Sequence, residues 1–116
     1  MIKAEFDSNR EEQTISMVIT GHAGAAQYGQ DIVCSAASIL AYALGQSLMN
    51  HGATGALSHP PHVEETNGKF IVIQKCESVA EYIAATVAFG VTKTGYALLA
   101  MNYPDYVQMS EKLNDA

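Results

Sequence analysis

A chain of 116 residues has room for one hydrophobic core, and its 48% apolar composition can fill that core without disulfide or metal staples. Twelve acidic residues against six basic ones leave a net charge of −6, and the bases form no stripe. That pattern excludes a nucleic-acid backbone as direct partner, and the acidity serves either solubility or the steering of a basic protein or peptide. The apolar runs read as too short to span a bilayer, and MIKAEFDSNREE lacks the basic-then-apolar layout of a secretory signal. A cytoplasmic protein without membrane contact is the expectation, and in that reducing compartment Cys34 and Cys76 are not expected to pair.

Ile2, Ala4 and Phe6 alternate with Lys3 and Glu5, the signature of a half-buried strand. Asp7–Gln13 is turn-like, and Thr14–Thr20 is rich in β-branched residues, so the two strands should form an antiparallel hairpin. From Asp31 the period becomes helical, carried by Val33, Ala36, Ala37, Leu40, Ala43, Leu44, Ser47 and Leu48. Asp31 is placed to cap that helix, and Asn50, His51 and Gly52 suggest its end. Gly52–Pro61 reads as irregular chain and His62–Glu65 as a short strand. Asn67-Gly68 reads as a hairpin turn and Lys69–Gln74 as a strand. Ser78 can cap a second helix, with Val79, Tyr82, Ile83, Thr86, Val87 and Val91 as its inner face. Gly90 and Gly95 weaken its far half, and Tyr103-Pro104-Asp105-Tyr106 ends it ahead of a short extended tail. The order ββαββα predicts an α+β fold. Two helices pack on a mostly antiparallel four-stranded sheet, within a single domain over residues 1–116.

The chemistry concentrates in Gly21–Ser38, GHAGAAQYGQDIVCSAAS. His22 follows an apolar strand, Gly21, Gly24 and Gly29 punctuate a loop, and Cys34 falls in what reads as the first turn of the helix. A free thiol ionises near pH ~8.5, so near neutrality it is mostly the weaker nucleophile. Orphan amides at a helix start and an imidazolium from His22 would favour the thiolate. Asp31 adds negative charge and so serves better as a cap or as an orienter of the imidazole. Ser38, four residues on, shares the helix face of Cys34 and can hydrogen-bond thiolate, histidine or substrate. The arrangement suits acyl transfer. Cys34 attacks a peptide carbonyl and His22 moves the proton, while backbone N–H groups near Cys34 and the glycines receive the oxyanion. On residue types alone the alternatives stay open, because a lone loop histidine is often structural and a cysteine on an alanine-rich helix often a small buried hydrophobe.

Other motifs are weaker. The glycines lack the lysine and spacing of a phosphate-binding loop. His51, His59, His62 and Cys76 invite a metal reading, but the prolines of His59-Pro60-Pro61-His62 prevent a regular face and no CxxC is present. No metal or cofactor is expected.

Gly21-His22-Ala23, then Gly29, then Asp31-Ile32-Val33-Cys34 with Ser38 one turn on, closely resembles the Prp family, the ribosomal-processing cysteine proteases of bacteria. The MI start, the Asn67-Gly68 hairpin and Tyr103-Pro104-Asp105-Tyr106-Val107 extend the resemblance along nearly the whole chain. It implies a small α/β fold, a homodimer, and removal of a short N-terminal extension from the twenty-seventh protein of the large ribosomal subunit. His22 and Cys34 match the catalytic dyad, and Asp31 and Ser38 its supporting positions. Gly21, Ala23, Gly24 and Gly29 match a segment that orders over substrate. His59, His62 and Cys76 stand outside the pattern. Relatives in phages and prophages, acting on capsid or scaffold proteins, give an alternative substrate. A non-catalytic dimeric peptide-binding module is the alternative that needs no thiolate.

Overall fold

The computed structural model describes residues 1–21 and 28–114, with side chains over 1–21 and 32–113. Its elements are β1 (Ile2–Asn9), β2 (Thr14–Thr20), α1 (Tyr28–Ala53), β3 (His62–Thr66), β4 (Lys69–Lys75), α2 (Val79–Asn102) and β5 (Val107–Asn114). The α+β class is as expected, with one correction: the sheet has five strands, in the order β3-β4-β2-β1-β5. What reads as a tail is β5, parallel to β1 from Ile2↔Val107 to Asn9↔Asn114. An edge strand pairs on one side only and can carry charge along its length, which is how Gln108, Glu111 and Lys112 conceal it.

The other pairings are antiparallel. In the first hairpin Lys3 faces Thr20 and Asn9 faces Thr14, and the Asn9 side chain accepts from the Glu12 amide at 2.9 Å. Asn67 and Gly68 both take positive φ (50° and 74°), the backbone a two-residue hairpin with native twist requires. Ile2, Ala4, Phe6, Ile15, Met17, Ile19 and Val72 point to one face and form the core with both helices. Lys3, Glu5, Ser16, Val18, Ile71 and Ile73 line the other face, exposed or half-buried.

Helix α1 buries Val33, Ala37, Ala41, Leu44 and Leu48, close to the spacing read from sequence. Its start differs. The helix begins at Tyr28, so Asp31 lies within the helical backbone and is not its cap. At the other end it runs to Ala53, and Gly55, not Gly52, takes the left-handed conformation (φ 84°).

Helix α2 overturns most of the expected inner face, of which Tyr82 packs against the core and Thr86 is exposed. Ala85, Phe89, Thr92 and Tyr96 are buried. Val79, Ile83, Val87 and Val91 are 58–70% exposed. The exposed set recurs every four residues and the buried set every three or four, and both are mostly apolar, so the period alone could not choose between them. Sheet packing selects the face that brings the rings of Phe89 and Tyr96 inward. The segments Ile32–Ala53 and Val79–Asn102 also have the length and apolar composition of membrane spans, against the expectation from run length. Each nonetheless lays one face on the sheet, α2 over β5 and β2 and α1 over β4.

Two contacts fix the helices to each other. The buried Tyr96 hydroxyl donates to the Ala37 carbonyl at 2.6 Å, and Gly95 lets Leu40 settle against α2. Ser78 caps α2 as expected, its hydroxyl accepting from the Glu81 amide at 3.1 Å. The Glu81 carboxylate turns outward and accepts from the Ser58 hydroxyl (2.6 Å) and amide (3.0 Å). These bonds from Ser58 hold the Glu81 carboxyl below its ordinary range. His59 pairs with Glu77 beside them, which gives this histidine a place in a loop-to-helix clamp. Cys76 is buried and its thiol is pushed up to about 11 by desolvation. Among the described residues no cluster of His, Cys, Asp and Glu is placed to hold a metal ion.

The two α2 glycines should respond oppositely to alanine. A Cβ at Gly90 meets nothing within 4 Å, whereas one at Gly95 would lie 2.6 Å from Leu40 Cδ2 and 3.3 Å from its Cγ. Gly90→Ala is expected to stabilise by about 0.5–1 kcal/mol through helix propensity. Gly95→Ala is expected to destabilise by about 1–3 kcal/mol through overpacking. Urea midpoints of the two variants check this, and equal shifts would contradict the crossing described.

Candidate active site

Strand ends gather at one end of the sheet. β1 begins there, β2 ends there, and the β3–β4 hairpin turns there. α1 passes over them and a cleft of about 200 Å³ opens between. One wall is a row on α1, Cys34, Ser38 and Tyr42, spaced four apart and therefore stacked on one helix face. The floor is apolar, from Ile2, Ile19, Ala37, Ala41 and Phe70. The rim is polar, with Glu65 from β3 and Lys69 from β4.

Cys34 is half-buried and unpaired as a disulfide, its body packed on the core and its position on the cleft wall. It is the seventh residue of a helix that starts at Tyr28, so it lies beyond the four orphan amides of the first turn. The placement of Cys34 in the first turn is thus corrected. Ser38 is exposed and lines the same cleft one turn further on.

Gly21 lines the cleft too, and the structure gives it a local reason. Its φ is 85°, and a Cβ there would meet the Met1 carbonyl oxygen at 2.2 Å. The end of β2 is pressed against the start of the chain, and only glycine fits both the angle and the approach. His22, Ala23 and Gly24 lie outside the described residues. Gly29 and Asp31 fall in the opening turn of α1, described there as backbone alone.

Sequence reasoning missed Tyr42, Glu65 and Phe70. The Tyr42 hydroxyl donates to the Glu65 carboxylate, 3.0 and 3.2 Å from its two oxygens. Its ring packs edge-on against Phe70 with centroids 5.3 Å apart. The Glu65 carboxylate, as hydrogen-bond partner and as a nearby negative charge, raises the Tyr42 phenol above its ordinary pKa. Tyr42 was within reach of sequence reasoning, since it continues the Cys34–Ser38 row by one more turn. Glu65 and Phe70 arrive through strand pairing, opposite one another in the β3–β4 register. A thiol and a hydroxyl above an apolar floor with a polar rim suit an extended peptide. The floor takes side chains, and the rim orients polar groups.

The family model for cysteine protease Prp matches residues 1–108, and the chain belongs to that family, a family of cysteine proteases. Among solved structures, SMU.848 from Streptococcus mutans is 26% identical with a TM-score of 0.72, covering 97% of this chain and 95% of that one. The ribosomal processing protease Prp from S. aureus, in complex with a covalently linked product peptide, is 21% identical with a TM-score of 0.70, covering 97% of this chain and all of that one. The same S. aureus protease in complex with a substrate peptide is 20% identical, also at a TM-score of 0.70. No curated protein matches.

Gly21→Ala combines a left-handed backbone, at about 1–2 kcal/mol for a residue with a Cβ, with a backbone clash at the cleft. A drop in thermal stability together with loss of peptidase activity is expected, read by a melting curve and a turnover assay on one sample. Wild-type values in both would contradict the contact with Met1.

Proposed function

We propose that this Prp-family cysteine protease removes the short N-terminal extension of a ribosomal protein precursor, the twenty-seventh protein of the large subunit. Cys34 is the nucleophile and His22 the general acid and base. The observation that carries the reading is Cys34 itself, the one thiol on the wall of a cleft whose apolar floor fits a peptide. The Cys34 sulfur attacks the scissile carbonyl carbon. The C–N bond breaks with a proton passing from His22 to the leaving amine, and a thioester remains on Cys34. Water then attacks the thioester, His22 takes its proton, and the carboxylate product leaves with the thiol restored. Backbone N–H groups near Cys34 and in the glycine segment receive the oxyanion. Asp31 and Ser38 support the pair. The proposal places the protein in the cytoplasm, where such a precursor is made.

Incubation with the extended ribosomal precursor and mass analysis of the products tests this. Cys34→Ala should abolish cleavage, and His22→Ala should slow it by about 10²–10⁴-fold, the usual worth of a positioned proton carrier. Cleavage by Cys34→Ala at the wild-type rate sinks the mechanism. Cleavage of a phage capsid or scaffold protein in place of the ribosomal precursor would leave the mechanism standing and change the substrate.

The partner proposed for the exposed stripe of α2 is a second copy of the chain. Val79, Ile83, Val87 and Val91 form a continuous apolar ridge, which two copies could bury against each other. Sedimentation velocity at micromolar concentration should show a dimer for the wild type and a monomer for Val87→Asp. A monomeric wild type, or a dimer untouched by Val87→Asp, would refute this interface.

A further inference from the structure

The rim of the cleft carries a charge that the peptidase chemistry does not use. The row Cys34, Ser38, Tyr42 advances about 1.5 Å per residue, so Tyr42 stands about 12 Å along the helix from Cys34. An extended peptide spans that distance in three to four residues, at about 3.3 Å each. At that point Glu65 projects from β3 toward α1, on the same strand face as Val63, which packs against α1 beside Gly45. Its carboxylate accepts from the Tyr42 hydroxyl, which is held in turn against the Phe70 ring.

One hydroxyl donor leaves most of the acceptor capacity of a carboxylate unused. The two ion pairs among the described residues are His59–Glu77 and Lys93–Glu111, and neither involves Glu65. Lys69 lines the same cleft without pairing to Glu65. Among the described residues the acceptor is therefore aimed and fixed without an ion-pair partner, on a molecule whose net charge is −6.

We propose that Glu65, positioned by Tyr42, is a specificity-determining residue that selects a lysine or arginine three or four residues from the scissile bond of the substrate. This rests on the peptidase reading above and adds to it a position and a charge. The substrate side chain donates its ammonium or guanidinium N–H to the Glu65 carboxylate. Its methylene stem lies along the Tyr42 and Phe70 rings.

The test uses a quenched fluorescent peptide bearing the extension junction of the ribosomal precursor. Each position within five residues of the junction is set in turn to lysine, alanine or glutamate. For the wild type, lysine at one position three or four residues out should raise kcat/KM over alanine by about three- to fivefold, the worth of a partly exposed ion pair. The gain should shrink with added salt. In Glu65→Gln that lysine-to-alanine ratio should fall to about one. In Glu65→Lys the favoured residue at the same position should become glutamate. Lys69→Gln should keep the lysine preference. A lysine preference that persists in Glu65→Gln, or a wild type with none at these positions, overturns the proposal. If the wild type cleaves no peptide in the series, the peptidase reading fails separately. Binding of the same peptides to Cys34→Ala, followed by fluorescence anisotropy, then decides the charge preference without turnover. Circular dichroism confirms that each variant is folded.

Discussion

The buried hydrogen bond from the Tyr96 hydroxyl to the Ala37 carbonyl holds the two helices in one relation, and the site depends on that relation. Tyr96 comes from the helix over β5 and β2, and Ala37 from the helix that carries Cys34. Burial raises the Tyr96 phenol far above its ordinary range, which favours the protonated donor. Beside it, Gly95 removes the side chain that would push Leu40, and with it α1, away from α2. The ring of Tyr96 meets Phe6 of β1 at 6.0 Å, which ties the crossing down to the sheet. Removing the hydroxyl would leave the Ala37 carbonyl without its added partner only one turn from the nucleophile. The two surface ion pairs among the described residues contribute about 0–1 kcal/mol each by comparison. Apolar packing and this bond hold α1 on α2, while the Tyr42–Glu65 bond ties it to β3.

The two ends of the sheet are held by different means. At the end away from the cleft, side chains do the holding. Ser58 and Glu81 bond each other, His59 pairs with Glu77, and the Gln74 amide reaches the carbonyls of His59 and Lys75 at 3.0 Å. At the cleft end backbone also meets backbone, through Gly21 against Met1 and the Ile2 amide on the Tyr106 carbonyl at 2.8 Å, beside the Tyr42–Glu65 bond. Such contacts use little volume. The space they leave becomes the cleft, with Cys34, Ser38 and Glu65 on its lining.

Much of the fold was legible in the chain because local signals agreed with tertiary packing. Alternation in Ile2–Phe6 and the Asn67-Gly68 turn gave both hairpins in their observed places. The failures have physical causes. β5 was hidden because an edge strand can be as polar as a loop. The buried face of α2 was misassigned because the helix is apolar nearly all round, and the larger rings won the core over the β-branched ridge. Asp31 is a good cap by type and reads as the start of α1, while the backbone is already helical three residues earlier, at Tyr28. At the site, Cys34 and Ser38 were legible as a four-residue step. Tyr42 followed the same rule and went unread, since a tyrosine on an alanine-rich helix looks like packing. Glu65 and Phe70 carry no local signal. Their importance comes from β3 pairing with β4 under α1.

The Tyr103-Pro104-Asp105-Tyr106-Val107 segment shows how a distant motif can belong to a site it does not touch. The Tyr103 amide closes α2 on the Leu99 carbonyl at 2.7 Å, and the amides of Tyr106 and Val107 both fold back on the Tyr103 carbonyl at 3.0 Å. The chain therefore reverses within four residues and enters β5 beside the start of β1. The Tyr106 carbonyl then takes the Ile2 amide and sets the first residue of the β1–β5 register. Ile2 is part of the cleft floor, and Met1 just before it is the surface against which Gly21 is pressed. A shift of that turn would move Ile2, and through the Met1 contact it would move the end of β2, where the chain leads on to His22. The turn after α2 thus sets the height of the floor on which a peptide would lie below Cys34. It acts on the cleft through backbone bonds, since among the described residues none of its side chains lines the cleft.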